Sequence, residues 1–474
     1  MEITILLVIA LMFGLYMAWS IGANDVANAM GTSVGSGALT LKQAVIIAAV
    51  LEFAGAFLVG SHVSDTVRKG IIDPNMFVDK PDILVYGMMA SLLAAASWLQ
   101  FATYFGWPVS TTHSIVGAIV GFGTIVGGAA AVDWIVVGSI VSSWVISPLL
   151  SGVIAFTIFS ILRKLIFLSP HPVKQAKRIT PLLVFLVFIV LTLVLVFKGL
   201  KNLHLDMSFD NAIALSAAIG LVASFIGFLL VRRVSEDDDG EYTEQEIVSP
   251  EVISNLKRAR KRLRKTEMMA NHQVKARISK VIGEIDDLEK QASNKVSHES
   301  KIPAYKKVER IFVYLQILSA SFVAFAHGAN DVANSIGPLA AVVSILKTGS
   351  VAMKTSVPLW ILGIGGVGIV IGLATWGWRV IETVGKKITE LTPTRGFAAE
   401  FAAAVTIIFA SKLGLPISTT HTLVGAVLGV GLARGIKAIN LNTIRDIVIS
   451  WVITLPAGAI LAIGFFYALK GIFG

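Results

Sequence analysis

Gly22 to Asn28 reads GANDVAN, and Gly328 to Asn334 reads GANDVAN again. Each copy interrupts an apolar stretch, Ile3 to Ser20 leading into the first and Ile311 to Ala326 into the second. A carboxylate and two carboxamides at membrane depth are costly and must find partners. A polar, glycine- and alanine-rich segment repeated in both halves of such a chain is the expected mark of a substrate site near the midplane of a transporter.

The composition agrees with a membrane setting. Of 474 residues, 55% are hydrophobic and 15% charged, where a soluble chain carries roughly 25% charge; the mean hydropathy is +0.77. Many apolar runs reach the roughly 20 residues that span a bilayer as helix. The reading is therefore an all-α polytopic membrane protein of about twelve transmembrane helices. The net charge of +10 fits basic cytoplasmic loops and does not imply nucleic acid. With no cysteine, disulfides and thiolate metal sites are excluded, and nothing calls for an organic cofactor. The Met-Glu start lacks a basic region before Ile3, so it reads as the first span and not as a signal peptide.

Four regions follow. Residues 1–165 hold spans one to five, and 179–232 two connecting scaffold spans. Residues 233–307 form a polar linker, and 308–474 hold spans eight to twelve. Within the linker an acidic run, Glu236 to Glu241, precedes the basic run KRARKRLRK from Lys257 to Lys265. Apolar residues at helical spacing there, among them Leu256, Leu263, Ile278 and Ile285, predict one or two amphipathic helices. These are either solvated or docked on anionic headgroups. With the N-terminus outside, the ends of spans five, seven, nine and eleven face the cytoplasm. They carry the main basic clusters: Arg163 to Arg178, Arg232 with the linker, Arg379 to Arg395, and Arg434 with Lys437. The positive-inside rule then puts both termini outside the cytoplasmic membrane and the linker inside. Lys347 and Lys354 are the exceptions.

A second motif recurs. Gly106 to Gly121 reads GWPVSTTHSIVGAIVG, and Gly414 to Gly429 reads GLPISTTHTLVGAVLG. The heptads are offset by 306 residues (22 to 328) and the second motifs by 308 (106 to 414). The chain is thus an internal duplication of two five-helix units. Seven crossings between their starts make it an inverted repeat, the plan of many secondary transporters; a re-entrant turn at either STTH segment would alter that count.

Pro108 and Pro416 stop a preceding helix. Ser110, Thr111 and Thr112, and Ser418, Thr419 and Thr420, then supply the residues preferred at helix starts. A helix start offers unpaired N–H groups and a partial positive charge, which suits an oxyanion. Two such ends pointing at one another could surround a tetrahedral anion with neutral donors, leaving co-bound cations to balance its charge. The bland alternative is that these hydroxyls only cap a kink or pack helices.

Asn24, Asp25, Asn28, Asn330, Asp331 and Asn334 are hard oxygen ligands suited to a cation such as sodium. Asn24 and Asn28 share a face if the helix persists, and Gly22 and Gly328 would permit an unwound turn whose carbonyls add ligands. An interhelical hydrogen-bond cluster is the alternative. Glu52 and Glu400 are intramembrane carboxylates without a repeat partner, since the offsets lead to Pro358 and Leu92; they suit coupling or gating. His113 and His421 follow the threonines as hydrogen-bonded core residues or proton carriers.

At these residues the sequence resembles the PiT family of inorganic phosphate transporters, marked by two GANDVAN-type heptads and two P-[IV]-S-T-T-H segments. All four stand here nearly unaltered, and the second heptad continues Ser335-Ile336-Gly337-Pro338 as in that pattern. The resemblance implies symport of inorganic phosphate driven by sodium or protons, with sulfate-carrying relatives, and weight on Asp25, Asp331, Glu52, Glu400, Ser110 and Ser418. Phosphate, sodium ions and the bilayer are the expected partners, with a homodimer left open. The rival classes are a passive anion channel and a membrane phosphatase.

Overall fold

The computed structural model describes residues 2–61, 64, 70–194, 196, 207–234, 250–268, 272–294, 303–351, 357–381, 391–435 and 440–474. The acidic run Glu236 to Glu241, and Lys354, Glu382 and Lys437, lie outside them. Among the described residues, fifteen α-helices carry the fold: α1 (Glu2–Asn24), α2 (Ala27–Gly35), α3 (Leu41–Val59), α4 (Pro81–Tyr104), α5 (Thr111–Phe122), α6 (Trp134–Leu162), α7 (Pro172–Val194), α8 (Phe209–Arg232), α9 (Pro250–Glu267), α10 (His272–Asn294), α11 (Pro303–Thr348), α12 (Leu359–Trp376), α13 (Pro393–Lys412), α14 (Thr419–Arg434) and α15 (Leu441–Phe473). Their starts follow local chemistry. Thr40 forms a capping box with Gln43, and Asp133, Ser208 and Asn440 accept from the first turns of α6, α8 and α15, each satisfying a backbone donor that has no acceptor inside the helix.

Among the described residues, ten helical segments are long and apolar enough to cross a membrane. The expectation of twelve meets a difference at the STTH segments: α5 has 12 residues and α14 has 16, short of the roughly 20 a span needs. Both start at buried residues, Thr111 and Thr419, inside the bundle. After α4 the chain reverses, and α5 runs back until Phe122 stacks on Phe77 and a Cβ at Gly87 would meet its ring. Hence α5 ends beside the start of α4.

The two halves pack reciprocally. α1 lies on α12 and α11 on α3, while α5 lies on α15 and α14 on α6. Glycine permits the closest approaches: a Cβ at Gly22 would lie 1.9 Å from the Ile369 carbonyl oxygen, and one at Gly328 would lie 2.2 Å from that of Glu52. The two helices that carry the heptads run in opposite directions. Ser335, just past the second heptad in α11, donates to the carbonyl of Gly14, ahead of the first heptad in the middle of α1, at 2.7 Å. Ser36, just past α2 and beyond the first heptad, donates to Gln316, ahead of the second heptad in α11, at 2.6 Å. The helices that carry the two heptads are therefore antiparallel.

The ends of the bundle are equally distinct. At one, Tyr86 near the start of α4 donates to the carbonyl of Phe473 at 2.7 Å. At the other, Arg163 donates to the carbonyl of Ala433, Tyr305 to that of Phe167, and Thr394 to Glu309. The linker helices α9 and α10 form a pair held by Arg260 with Asp286 at 2.6 Å and Glu289 at 2.8 Å.

Candidate functional site

The two STT segments start helices, and they meet. Gly106 and Gly414 turn the chain with φ of 68° and 70°, a left-handed conformation that glycine adopts without strain. Ser110 then caps α5 by accepting from the His113 N–H at 3.2 Å, and Ser418 caps α14 by accepting from that of His421 at 3.1 Å. The N–H groups of Thr111, Thr112, Thr419 and Thr420 sit in the first turns, where no acceptor exists within the helix. Thr112 donates across to the Ile417 carbonyl at 2.9 Å, and Thr420 to that of Val109 at 3.2 Å. Each start is thus tied to the strand-like approach of the other.

The heptads behave differently from one another. The first breaks: α1 ends at Asn24, α2 begins at Ala27, and the Asn28 N–H turns to the Asp25 carbonyl at 2.8 Å. The second passes unbroken through the 46-residue α11. The unwinding expected at Gly22 and Gly328 is corrected on both counts. The break falls at Asp25 and Val26, and the glycines instead let the α12 and α3 backbones approach. The break also separates Asn24 from Asn28, which do not share partners. Asn24 donates to Thr103 at 2.8 Å and to the Trp107 carbonyl at 3.0 Å, whereas Asn28 donates to Asp25 at 3.1 Å and Thr420 at 2.8 Å.

The two aspartates converge on the helix starts. Asp25 accepts from Thr111 at 2.6 Å and from Thr420 at 3.0 Å. Asp331 accepts from Thr419 at 2.8 Å and meets His327 Nε2 at 2.9 Å. Asn334 reaches Thr111 at 3.3 Å and Thr112 at 3.2 Å, and Asn330 donates to Ser411 at 2.8 Å. Ligand atoms of Asp25, His327 and Asp331 all lie within 4.8 Å of one another. Oδ1 of Asn24, Asn330, Asn334 and Asp331 is buried without a hydrogen-bond donor. Buried oxygens of this kind are costly unless a donor or cation reaches them, and hard neutral and anionic oxygens suit sodium.

Glu52 and Glu400 occupy separate networks. Both oxygens of Glu52 face His327 Nδ1, at 2.7 and 2.8 Å. Nε2 of the same imidazole lies 2.9 Å from Asp331 without hydrogen-bond geometry, so the ring sits between the two carboxylates, hydrogen-bonded to Glu52 and in close contact with Asp331. Glu400 instead accepts from Thr32 at 2.5 Å, Ser33 at 2.6 Å, Gln316 at 3.1 Å and Ser319 at 2.5 Å. It does not join the aspartate cluster. The packing places Glu52 opposite Gly328 as Ile369 lies opposite Gly22, so the counterpart of Glu52 is Ile369 and not Pro358; connections of unequal length shift the register between the halves. His113 and His421 face each other at 4.4 Å between ring centres, packed on Trp144 and Trp451.

His327 was missing from the sequence reading, as were Thr32, Thr103, Gln316, Ser319 and Ser411. One signal was available: the second heptad is preceded by His327 where the first is preceded by Ile21. The site is closed in this conformation. Asp331 and Glu400 are fully buried, and no predicted site residue exceeds the 5% exposure of His421.

Comparison with known proteins identifies the family. The phosphate transporter family matches residues 21–462. The chain is 47% identical over 455 residues to inorganic phosphate transporter 2-1, chloroplastic, of Arabidopsis thaliana, covering 96% of this chain and 70% of that one. It is also similar to a solved structure described as the sodium-dependent phosphate transporter, at 38% identity and a TM-score of 0.79, covering 98% of this chain and 99% of that one.

Proposed function

Because the chain belongs to the phosphate transporter family, whose members are transporters and not enzymes, we propose that it takes up inorganic phosphate across the cytoplasmic membrane by symport with sodium. The observation that carries the proposal is the convergence of both helix starts on one carboxylate, Asp25, through Thr111 and Thr420.

In this reading phosphate lies between the two starts. The first-turn N–H groups of α5 and α14 and the hydroxyls of Ser110, Thr111, Thr112, Ser418, Thr419 and Thr420 supply neutral donors. Sodium takes Asp25, Asp331 and the free carboxamide oxygens of Asn24, Asn330 and Asn334, with Asn28 holding Asp25 in place. A cation in that position lowers the electrostatic cost of bringing an anion into a low dielectric. The two bind cooperatively as a result, by a coupling free energy typically worth 1–3 kcal/mol, about 5–150-fold in affinity. A heptad carboxylate that accepts a hydrogen bond from protonated phosphate would discriminate against sulfate, which has no proton to offer. Glu52 acts through His327, and Glu400 holds α2, α11 and α13 together. His113 and His421 have a packing role.

The antiparallel heptad helices support an inverted repeat with the site at the interface of the halves. The end with Arg163, Tyr305 and the linker is cytoplasmic, by the positive-inside rule, and both termini lie outside. A closed, fully buried site favours alternating access over a channel, which needs a continuous pore.

Uptake of radiolabelled phosphate into proteoliposomes tests this. Accumulation under an inward sodium gradient, with sulfate competing poorly, is expected. Accumulation under a proton gradient alone would favour proton coupling, and equilibration without accumulation would favour a channel.

A further inference from the structure

The first asparagine of each heptad is held by a hydroxyl from a helix outside the heptad. Asn24 Nδ2 donates to Thr103 at 2.8 Å and to the Trp107 carbonyl at 3.0 Å, and Asn330 Nδ2 donates to Ser411 at 2.8 Å. The two hydroxyls recur at the offset of the STTH motifs, 308 residues (103 to 411). Each lies in the last turn of the helix that leads into an STTH segment, Thr103 in α4 and Ser411 in α13. We propose that Thr103 and Ser411 are positioning residues of the cation site: each holds the amide end of its asparagine away from the ion and so keeps the carboxamide oxygen aimed at it. Two residues that reach the ion only through another side chain are thereby added to the sodium reading above, on which the proposal rests.

Donor and acceptor capacity fixes which way the Asn24 carboxamide points. A backbone carbonyl only accepts, so the group facing Trp107 is the NH2. Thr103 commits its one hydroxyl proton to the Leu99 carbonyl at 2.7 Å, so it too accepts from Asn24. With acceptors on both sides of that end, Oδ1 is the opposite end. It is buried with no donor, and so is Oδ1 of Asn330. A buried oxygen of this kind is costly until a donor or cation reaches it. Turning the Asn24 carboxamide over would put an NH2 in front of the ion and set the oxygen against two other oxygens. The two halves arrive at this pairing from unlike backbones. Asn24 is the last residue of α1, at the break, whereas Asn330 lies within the unbroken α11. Asn28 and Asn334 turn instead to threonines of the helix starts. The division between the first and the second asparagine is therefore the same in both heptads.

The test uses the full chain, purified for thermal unfolding and reconstituted for uptake, with choline replacing sodium at constant ionic strength. Sodium is expected to raise the Tm of the wild type along a saturation curve, since a ligand of the folded state stabilises it. Thr103→Val and Ser411→Ala are each expected to move half-saturation to roughly 3- to 10-fold more sodium, the effect of losing a neutral hydrogen bond. In uptake the KM for sodium is expected to rise by the same factor, with kcat at saturating sodium within about twofold of the wild type. Thr103→Ser and Ser411→Thr keep the hydroxyl and are expected to recover the wild-type curve. Thr406→Val on α13 removes a hydroxyl that donates to the Ala402 carbonyl at 2.8 Å and is expected to leave the curve unchanged. A wild-type sodium curve in Thr103→Val or in Ser411→Ala would overturn the proposal and leave the sodium reading intact. So would an equal shift in Thr406→Val, or a loss that the hydroxyl-keeping variants do not recover. A wild-type Tm indifferent to sodium would overturn the sodium reading and the proposal with it.

Discussion

Thr420 donates its hydroxyl to Asp25 at 3.0 Å, across 395 residues of sequence. Since Asp25 also accepts from Thr111 at 2.6 Å, one carboxylate of the first half is in contact with the helix starts of both halves. A cation that neutralises it is sensed at both ends of the proposed anion site. That is a physical route by which sodium and phosphate could be coupled without any cationic side chain.

Thr420→Val removes a donor to Asp25 and the acceptor of Asn28. A hydrogen bond to a charged group is worth about 1.5–3 kcal/mol, so the KM for phosphate is expected to rise at least ~10-fold. Thr422, whose hydroxyl donates to the Ser418 carbonyl within α14 at 2.8 Å, is the comparison. Its change to Val is expected to move KM by less than threefold or so, as for a neutral bond near 0.5 kcal/mol. Initial uptake rates in proteoliposomes check both.

Asp25→Asn and Asp331→Asn keep the size of the side chain and remove its charge. Uptake at low phosphate is expected to fall by roughly 100-fold, toward the upper end of the usual coupling range, with protein present in the membrane at the wild-type level. Uptake per immunodetected transporter is the measurement.

His327 links Glu52 and Asp331 in a fully buried chain. Truncation leaves two carboxylates facing a gap, and breaking such a buried pair costs about 3–5 kcal/mol. His327→Ala is therefore expected to lower Tm and yield sharply, whereas His327→Gln, which retains a donor, recovers part of the loss. Thermal unfolding of purified protein distinguishes them.

Gly328→Ala would place a Cβ 2.2 Å from the Glu52 carbonyl oxygen. The obstacle is backbone, so α3 and α11 must separate, and overpacking of this kind costs at least about 1–3 kcal/mol. Fluorescence-detected gel filtration is expected to show mostly aggregated protein. Gly138→Ala, where the added Cβ meets nothing within 4 Å, is expected to elute as wild type.

In the linker, the Arg260 hydrogen bond holds the Asp286 carboxyl below the usual aspartate range. A depressed pKa means that the pairing of α9 with α10 is in full force above the unfolded aspartate value and is lost as pH falls through the lowered one. Spin-label distances between the two helices are expected to be constant from neutral to mildly acidic pH and to broaden only in strong acid; Asp286→Asn is expected to remove that transition.

Much of this arrangement was legible in the residues because it rests on local chemistry. Ser110 and Ser418 cap helices because the proline before each breaks the chain and a hydroxyl follows. The repeat was legible because identical letters recur at fixed offsets. What the letters could not carry was tertiary. His327 joins Glu52 to Asp331 only once α3 crosses α11, and the Glu400 network draws on Thr32, Ser33, Gln316 and Ser319 from two other helices. The opposite fates of two identical heptads were equally hidden. The break at Asp25 and the continuity of α11 are set by what surrounds each copy, and the glycines that suggested unwinding serve helix contact instead.

The most direct test of the central claim is equilibrium binding of phosphate to the purified protein as sodium is varied. Phosphate affinity is predicted to rise with sodium, and Asp25→Asn to abolish the rise. Phosphate binding that is equally tight without sodium, or a sodium dependence that survives in Asp25→Asn, would contradict it.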